Sequence, residues 1–297
     1  MVKLKNCPLC NSTASSTFIT CTDFTVSRET FHIEQCSDCG FKYTNPRPEL
    51  SVIGSYYQSE NYISHSNTKK GIINKAYQAI RKYTLVKKVN LINSLSGRGR
   101  LLDIGCGTGE FLNECQKDNW TTVIGIEPDE IARNCAKDNY SLNVFPEAEL
   151  STLESNSFDV ITMWHVLEHV YNLQDRMKEV RRLLKKSGTL IIAVPNCSSF
   201  DASYYKEFWA AYDVPRHLYH FVPGDIVRLC RMQNQSVIQM YPMFFDSYYV
   251  SMLSENYRKT PLGIIPAICI GWVSNIKAKY FSKTPTFSSQ VYIIRNV

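Results

Sequence analysis

Two groups of residues have types and spacings that could do chemistry. The first is Leu102-Asp103-Ile104-Gly105-Cys106-Gly107-Thr108-Gly109-Glu110, where three glycines alternate with other residues directly after an apolar run. Glycines there permit a tight turn and let a ligand approach the main chain closely. The loop does not suit a pyrophosphate. Glu110 stands where a dinucleotide fingerprint has its third glycine, and with Asp103 it brings negative charge to a helix start that phosphate needs free of it. These carboxylates suit a cationic ligand without phosphate. Glu127 lies 22 residues beyond Gly105, after a second apolar run, where an acid can accept from both hydroxyls of a ribose. The second group is Cys7-Pro8-Leu9-Cys10 with Cys36-Ser37-Asp38-Cys39. Two knuckles offering two thiolates each close a tetrahedral zinc site, which makes the metal structural rather than catalytic.

The elements that must position these residues follow from the hydrophobic pattern. Short β-prone runs at 17–20 and 29–33 lie between the cysteine knuckles and fit a zinc ribbon. Asn45-Pro46-Arg47-Pro48 reads as a loop, and a tyrosine-rich stretch with Tyr56, Tyr57 and Tyr62 follows. Apolar residues at helical spacing predict one amphipathic helix over 70–95. From Arg100 onward strands alternate with helices: strands at 101–104, 122–126, 158–163 and 189–194, and helices at 110–118, 131–138 and from a cap at Asn172 to a stop at Gly188. This alternation predicts a doubly wound, Rossmann-like α/β fold with a mostly parallel seven-stranded sheet. Ligands of such sheets bind beyond the carboxyl ends of the strands. Ile238–Tyr241 and Val291–Ile294 read as the two closing strands, so that about 243–288 is an insertion before the last one. The expected division is a zinc ribbon at 1–48, a tyrosine-rich and basic helical linker at 49–99, and the sheet domain at 100–297.

Composition narrows the function classes. The chain has 297 residues, a net charge of +6, 44% apolar residues and 11 cysteines, enough to bury a large core without disulfide staples. No unbroken apolar run reaches the roughly 18–20 residues of a membrane-crossing helix. The first residues lack the apolar run of a signal peptide, so the expected location is the cytoplasm, where thiols stay reduced. Residues 61–100 carry nine basic and no acidic side chains, more than the whole net charge. They are expected to form the solvated basic face of a linking helix, while the sheet half is acidic.

S-adenosylmethionine, with its sulfonium and ammonium, is one cationic, phosphate-free ligand of the kind that the glycine loop and its carboxylates suit. Residues 100–222 resemble a class I S-adenosylmethionine-dependent methyltransferase. The likeness rests on 102–109, Gly125-Ile126-Glu127-Pro128, Ser157-Phe158-Asp159-Val160-Ile161, Leu167-Glu168-His169-Val170 and 183–190, five motifs in order. The resemblance implies that Asp103, Gly105, Cys106, Gly107, Gly109, Glu127 and Pro128 hold the cofactor. It also implies that Glu147 and Ala148 meet the adenine, with Glu149 as a substitute for Glu147, and that Trp164 and His165 line the methyl end. His165 is expected to pack on the cofactor rather than act as a base. His217, followed four residues later by Phe221, matches a substrate-side histidine of the family, a candidate base for an acceptor hydroxyl; the competing expectation is that His217 ties down a loop beside an Arg216–Asp213 pair. A metal on His217 and His220 is discounted for want of a third ligand.

The chain also resembles bacterial methyltransferases with a four-cysteine N-terminal domain and an Asp-Val-Pro-Arg-His-Leu sequence, related to ubiquinone-type O-methyltransferases. It implies methyl transfer, at oxygen, to a small or lipid-linked acceptor, for which the aromatic stretch 200–257 offers a pocket. The apolar run Leu262–Trp272 is a candidate lid or contact with the inner membrane surface. Two alternatives are an RNA methyltransferase that uses the ribbon and the basic helix, disfavoured because no Asn/Asp-Pro-Pro-Tyr signature follows the fourth strand, and a non-catalytic cofactor-binding scaffold.

Overall fold

The apolar runs at 101–104, 158–163 and 189–194 become strands buried on both faces, as the interior of a parallel sheet requires. The computed structural model describes residues 1–58, 72–282 and 286–297, and the side chains of the first helix from residue 80. Tyr62, Lys69 and Lys70 of the tyrosine-rich and basic stretch lie outside the described residues. The central strands are β4 (Arg100–Ile104), β5 (Thr122–Ile126), β6 (Asn143–Phe145), β7 (Phe158–Trp164) and β8 (Leu184–Pro195), closed by β10 (Gln235–Pro242) and β11 (Ser289–Asn296). They form a seven-stranded sheet in the order β10-β11-β8-β7-β4-β5-β6. Its β6-to-β8 part is parallel, and β11 runs antiparallel between β8 and β10. The chain starts in the middle at β4, winds outward through β5 and β6, and returns to β7 on the other side. That reversal leaves a crevice beyond the carboxyl ends of β4, β5 and β7.

The helices are α1 (Ile72–Leu95), α2 (Glu110–Lys117), α3 (Glu130–Tyr140), α4 (Leu173–Leu183), α5 (Phe200–Tyr205) and α6 (Pro223–Met232), followed by α7 (Phe244–Arg258) and α8 (Ile264–Tyr280). The last two are the insertion. They pack closely because Gly271 has no side chain: a Cβ there would stand 3.0 Å from the Tyr248 main-chain nitrogen. Two local expectations need correction. Asn172 precedes α4 but its side chain makes no capping hydrogen bond. Gly188 does not stop that helix, which ends at Leu183 as buried Leu184 pairs with Phe158 and opens β8. Gly188 lies inside the strand, where a Cβ would come 2.9 Å from the Lys185 carbonyl oxygen.

The N-terminal residues form a second, antiparallel sheet from β1 (Ser15–Thr22), β2 (Thr30–Cys36) and β3 (Lys42–Thr44). Its fourth strand, β9 (Tyr219–His220), comes from the far side of the chain and pairs Lys42 with His220 and Tyr43 with Tyr219. Phe41 stacks on Tyr219 at 5.8 Å and packs on Phe221 at 5.7 Å, and these rings share one core with Leu102, Ile104 and Met163 of the large sheet. A buried ion pair fastens the same junction. Arg216, with a side chain only 1% exposed, donates to Asp23 at 2.9 Å and Asp213 at 2.6 Å, and to the Tyr56 carbonyl at 2.8 Å.

Candidate active site

The glycine loop leaves β4 and enters α2 through three left-handed residues, Gly105, Gly107 and Gly109, with φ of 72°, 55° and 83°. Side chains at Gly105 and Gly109 would collide with Val166 and with Leu142 and Ala136. A Cβ on Gly107 would meet nothing within 4 Å, so this main chain borders open space that a ligand can use. Asp103, the penultimate residue of β4, is 2% exposed and accepts from Thr162 Oγ1 at 2.6 Å. Burial pushes its carboxyl up to about 7, although the Thr162 bond and the Lys88 ammonium pull the other way. Glu127, just past β5, accepts from the main-chain nitrogens of Gly107 at 2.8 Å and Asp129 at 3.0 Å. Burial raises its carboxyl as well. Pro128 turns the chain into α3, and its carbonyl accepts from Arg133 at 2.6 Å. Burial also raises the Cys106 thiol, which the neighbouring carboxylates reinforce.

On the adenine side, Glu147 and Ala148 open a 3-10 helix, Glu147–Thr152. The Glu147 carboxylate pairs with Arg176 from α4, a partner that no sequence spacing announces. Glu149 accepts instead from Thr152 at 3.0 Å and is exposed. Trp164 ends β7 with its ring edge-on to Phe111 at 5.6 Å, and its buried indole nitrogen has no hydrogen-bond partner. His165 follows in a left-handed conformation, φ 57°. Its Nδ1 stands 3.3 Å from Glu168 Oε1 and its Nε2 3.2 Å from Asp246 Oδ2 of α7. Burial alone would lower its pKa, but the two carboxylates outweigh that and hold the imidazolium to about 9. Both nitrogens are engaged, which suits a positioning role better than a base.

The basic helix is not wholly turned to solvent, contrary to expectation. Lys88 is half-buried with its ammonium 4.3 Å above the Trp164 ring, and Arg81 pairs with Glu110 at 2.6 Å. Helix α1 lies against α2, and Tyr83 meets Phe245 of α7 edge-on at 5.9 Å. The acidic loop thus receives cations from a segment that composition alone assigns to water. Lys88, Arg81 and Asp246 escaped the sequence because each comes from an element that only tertiary packing brings here.

On the other side of β7, His217 Nδ1 donates to the Ala211 carbonyl at 2.8 Å, and its Nε2 stands 4.0 Å from Asp213 Oδ2. The His217 ring packs edge-on against His169 at 4.6 Å. The Arg216–Asp213 pair is present beside it. His220 turns away to Thr44 Oγ1 at 3.0 Å, so His217 and His220 do not share a metal. In the ribbon, all four cysteine sulfurs lie within 4.8 Å of one another, with Cys7–Cys39 at 3.6 Å and Cys10–Cys36 at 3.5 Å. A tetrahedron with zinc–sulfur bonds of about 2.3 Å has edges near 3.8 Å, so the four thiols fit the ion.

The model of the methyltransferase-domain family matches residues 77–239. A ubiquinone biosynthesis O-methyltransferase of Pelagibacter ubique is 36% identical over 102 residues, 33% of this chain and 42% of that one. A ubiquinone/menaquinone biosynthesis C-methyltransferase of Campylobacter jejuni is 30% identical over 101 residues, 31% of this chain and 43% of that one. The chain thus spans less than half the length of these relatives. Among solved structures, the magnesium protoporphyrin IX methyltransferase of Synechocystis PCC 6803 with bound SAH superposes with a TM-score of 0.55 at 12% identity, over 84% of this chain and all of that one. This likeness shows the class I fold. The family match covers more than half of the chain and spans the glycine loop, Glu127 and the strands that carry them; the protein belongs to the methyltransferase-domain family.

Proposed function

We propose that the protein transfers a methyl group from S-adenosylmethionine to oxygen on a small or lipid-linked acceptor. The observation that carries this reading is the cradle at the sheet reversal. Gly107 borders open space, Glu127 accepts from its amide, and the Lys88 ammonium stands over Trp164 within electrostatic reach of the buried Asp103. In this reading Glu127 takes the ribose hydroxyls, Glu147 and Ala148 meet the adenine, Asp103 faces the ammonium, and Lys88 faces the carboxylate. The cofactor supplies an activated methyl on a sulfonium. The acceptor oxygen attacks that carbon, the carbon–sulfur pair returns to sulfur, and the hydroxyl proton leaves on the His217 side. Because charge on sulfur disappears, the protein's task is mainly to align reactants and exclude water. Helices α1 and α7 supply that cover.

The ribbon at 1–48, with zinc on Cys7, Cys10, Cys36 and Cys39, supports the acceptor loop through the β3–β9 pairing. The insertion offers a peripheral membrane contact: Leu262, Ile265, Trp272 and Phe281 are 58–80% exposed, and no helix among the described residues is long and apolar enough to cross a membrane. The test is incubation with methyl-labelled cofactor and a whole-cell extract. Label in the lipid or small-molecule fraction, with release of S-adenosylhomocysteine, is expected. Label confined to RNA or protein overturns the acceptor class.

A further inference from the structure

Helix α1 has two faces of different character. Val89 and Ile92 are buried in one core with Leu101 and Val123 of the sheet, and Arg81 and Lys88 turn inward beside them. Ile80, Lys82, Tyr83, Val86 and Lys87 are exposed. At about 100° per residue these five fall on one arc of about 160°, opposite the buried one. Three apolar side chains and two lysines thus share an outer face that holds no carboxylate, since residues 61–100 contain none.

That face continues on the insertion. Tyr83 meets Phe245 edge-on at 5.9 Å, and Phe245, Tyr249 and Met252 recur at i, i+4 and i+7 as an exposed stripe of α7. Helix α8 packs on α7 with its small residues, Ala267, Gly271 and Ser274, so that bulky Ile265, Ile268 and Trp272 point outward. Lys279 stands two turns beyond Trp272 on the same side and is exposed. The two acids of α7 and α8 are both withdrawn. Asp246 is held at His165, and Glu255 is 3% exposed and accepts from Tyr205 at 3.0 Å. The exposed surface of the three helices, among the described residues, is therefore apolar and cationic without an exposed carboxylate.

We propose that α1, α7 and α8 form one docking face for an anionic lipid bilayer. The inference rests on the membrane contact proposed for the insertion and extends it to the basic helix. Bulky apolar side chains gathered on one surface mark a contact site, and lysines among them match an apolar layer with an anionic rim. The apolar residues enter the boundary of headgroups and acyl chains, and Lys82, Lys87 and Lys279 meet the phosphates. RNA fits less well, because Ile80, Val86, Ile265 and Ile268 offer no plane on which a base stacks. The inward faces of the same helices reach the methyl end, with Lys88 over Trp164 and Asp246 at His165. Docking sets that end about one helix diameter, ~10 Å, beneath the lipid, where a lipid-linked acceptor presents its head.

The test is co-sedimentation of the full chain with vesicles of phosphatidylcholine, alone or mixed with phosphatidylglycerol. Wild-type affinity is expected to rise with phosphatidylglycerol and to fall again in high salt. Lys82→Gln with Lys87→Gln is expected to lose at least tenfold on the anionic vesicles, at about fivefold per lysine, and to match wild type on the neutral ones. Val86→Asp is expected to weaken binding to both. Circular dichroism shows that the variants are folded. Equal binding of the lysine variant and the wild type to anionic vesicles overturns the inference; loss of binding in Ile265→Asp with Trp272→Asp then leaves the insertion contact standing. A wild type that binds transfer RNA and neither kind of vesicle overturns both. The methyl-transfer reading is independent of every arm, since none of them uses the cofactor.

Discussion

The Lys88 ammonium sits 4.3 Å above the ring of Trp164, and burial lowers its pKa against the pull of Asp103 and Asp246. A cation held there at the cost of desolvation matches the one carboxylate of the cofactor. Lys88→Met is expected to weaken S-adenosylmethionine and S-adenosylhomocysteine alike by about tenfold or more, the worth of a hydrogen bond to a charged group at about 1.5–3 kcal/mol. Calorimetric titration of both ligands checks this. Unchanged affinities would mean that Lys88 only packs on the indole.

Asp103 predicts a pH dependence. Its folded pKa, raised to about 7 from an ordinary 3.8, means that the folded protein without cofactor holds a proton the unfolded chain has already lost. This contribution to stability is therefore greatest at low pH and is lost as pH rises toward 7. A cationic ligand prefers the ionised carboxylate. Cofactor affinity is then expected to rise by up to about tenfold per pH unit below 7 and to level off above it. Proton release measured in buffers of different ionisation enthalpy gives the count, and Asp103→Asn should flatten the profile.

The Arg216–Asp23 pair predicts a stability effect far from the cofactor. Asp23 reaches a buried guanidinium at 2.9 Å, and both side chains are almost wholly inaccessible. Asp23→Asn leaves that guanidinium with the Asp213 carboxylate and the neutral Tyr56 carbonyl. Breaking such a pair costs about 3–5 kcal/mol, which corresponds to a fall of about 10 °C in Tm. A melting curve within 2 °C of wild type, roughly a 1 kcal/mol change, would show that the junction does not depend on it.

For the insertion, burying Ile265 and Trp272 in a bilayer interface is worth about 1.5–3 kcal/mol each. The double variant Ile265→Asp with Trp272→Asp should lose at least tenfold in co-sedimentation with anionic vesicles. Equal binding by both proteins would assign the apolar face another purpose.

What the sequence shows and what it hides have a physical division. The glycine loop, Glu127 and the cysteine knuckles are local: a turn, a strand end and a metal knuckle each need certain residues a few positions apart. The strand and helix alternation was legible for the same reason, and the sheet follows it. Contacts set by packing were not legible. Asp246 meets His165 from an insertion, Arg176 meets Glu147 from a later helix, and β9 adds to a sheet whose other strands lie at the opposite end of the chain. The basic segment misled because composition counts charges without saying which way they face: Arg81 and Lys88 turn inward.

The central claim is that the Gly107–Glu127 cradle holds S-adenosylmethionine. Its most direct test is calorimetric titration of the cofactor into the wild type and Glu127→Ala, with circular dichroism to show that both are folded. The account predicts one site per chain with micromolar-range affinity in the wild type and a loss of at least a hundredfold in the variant, as expected when a buried carboxylate that bonds two hydroxyls is removed. Equal affinity in the two proteins, or no binding by the wild type, would contradict it.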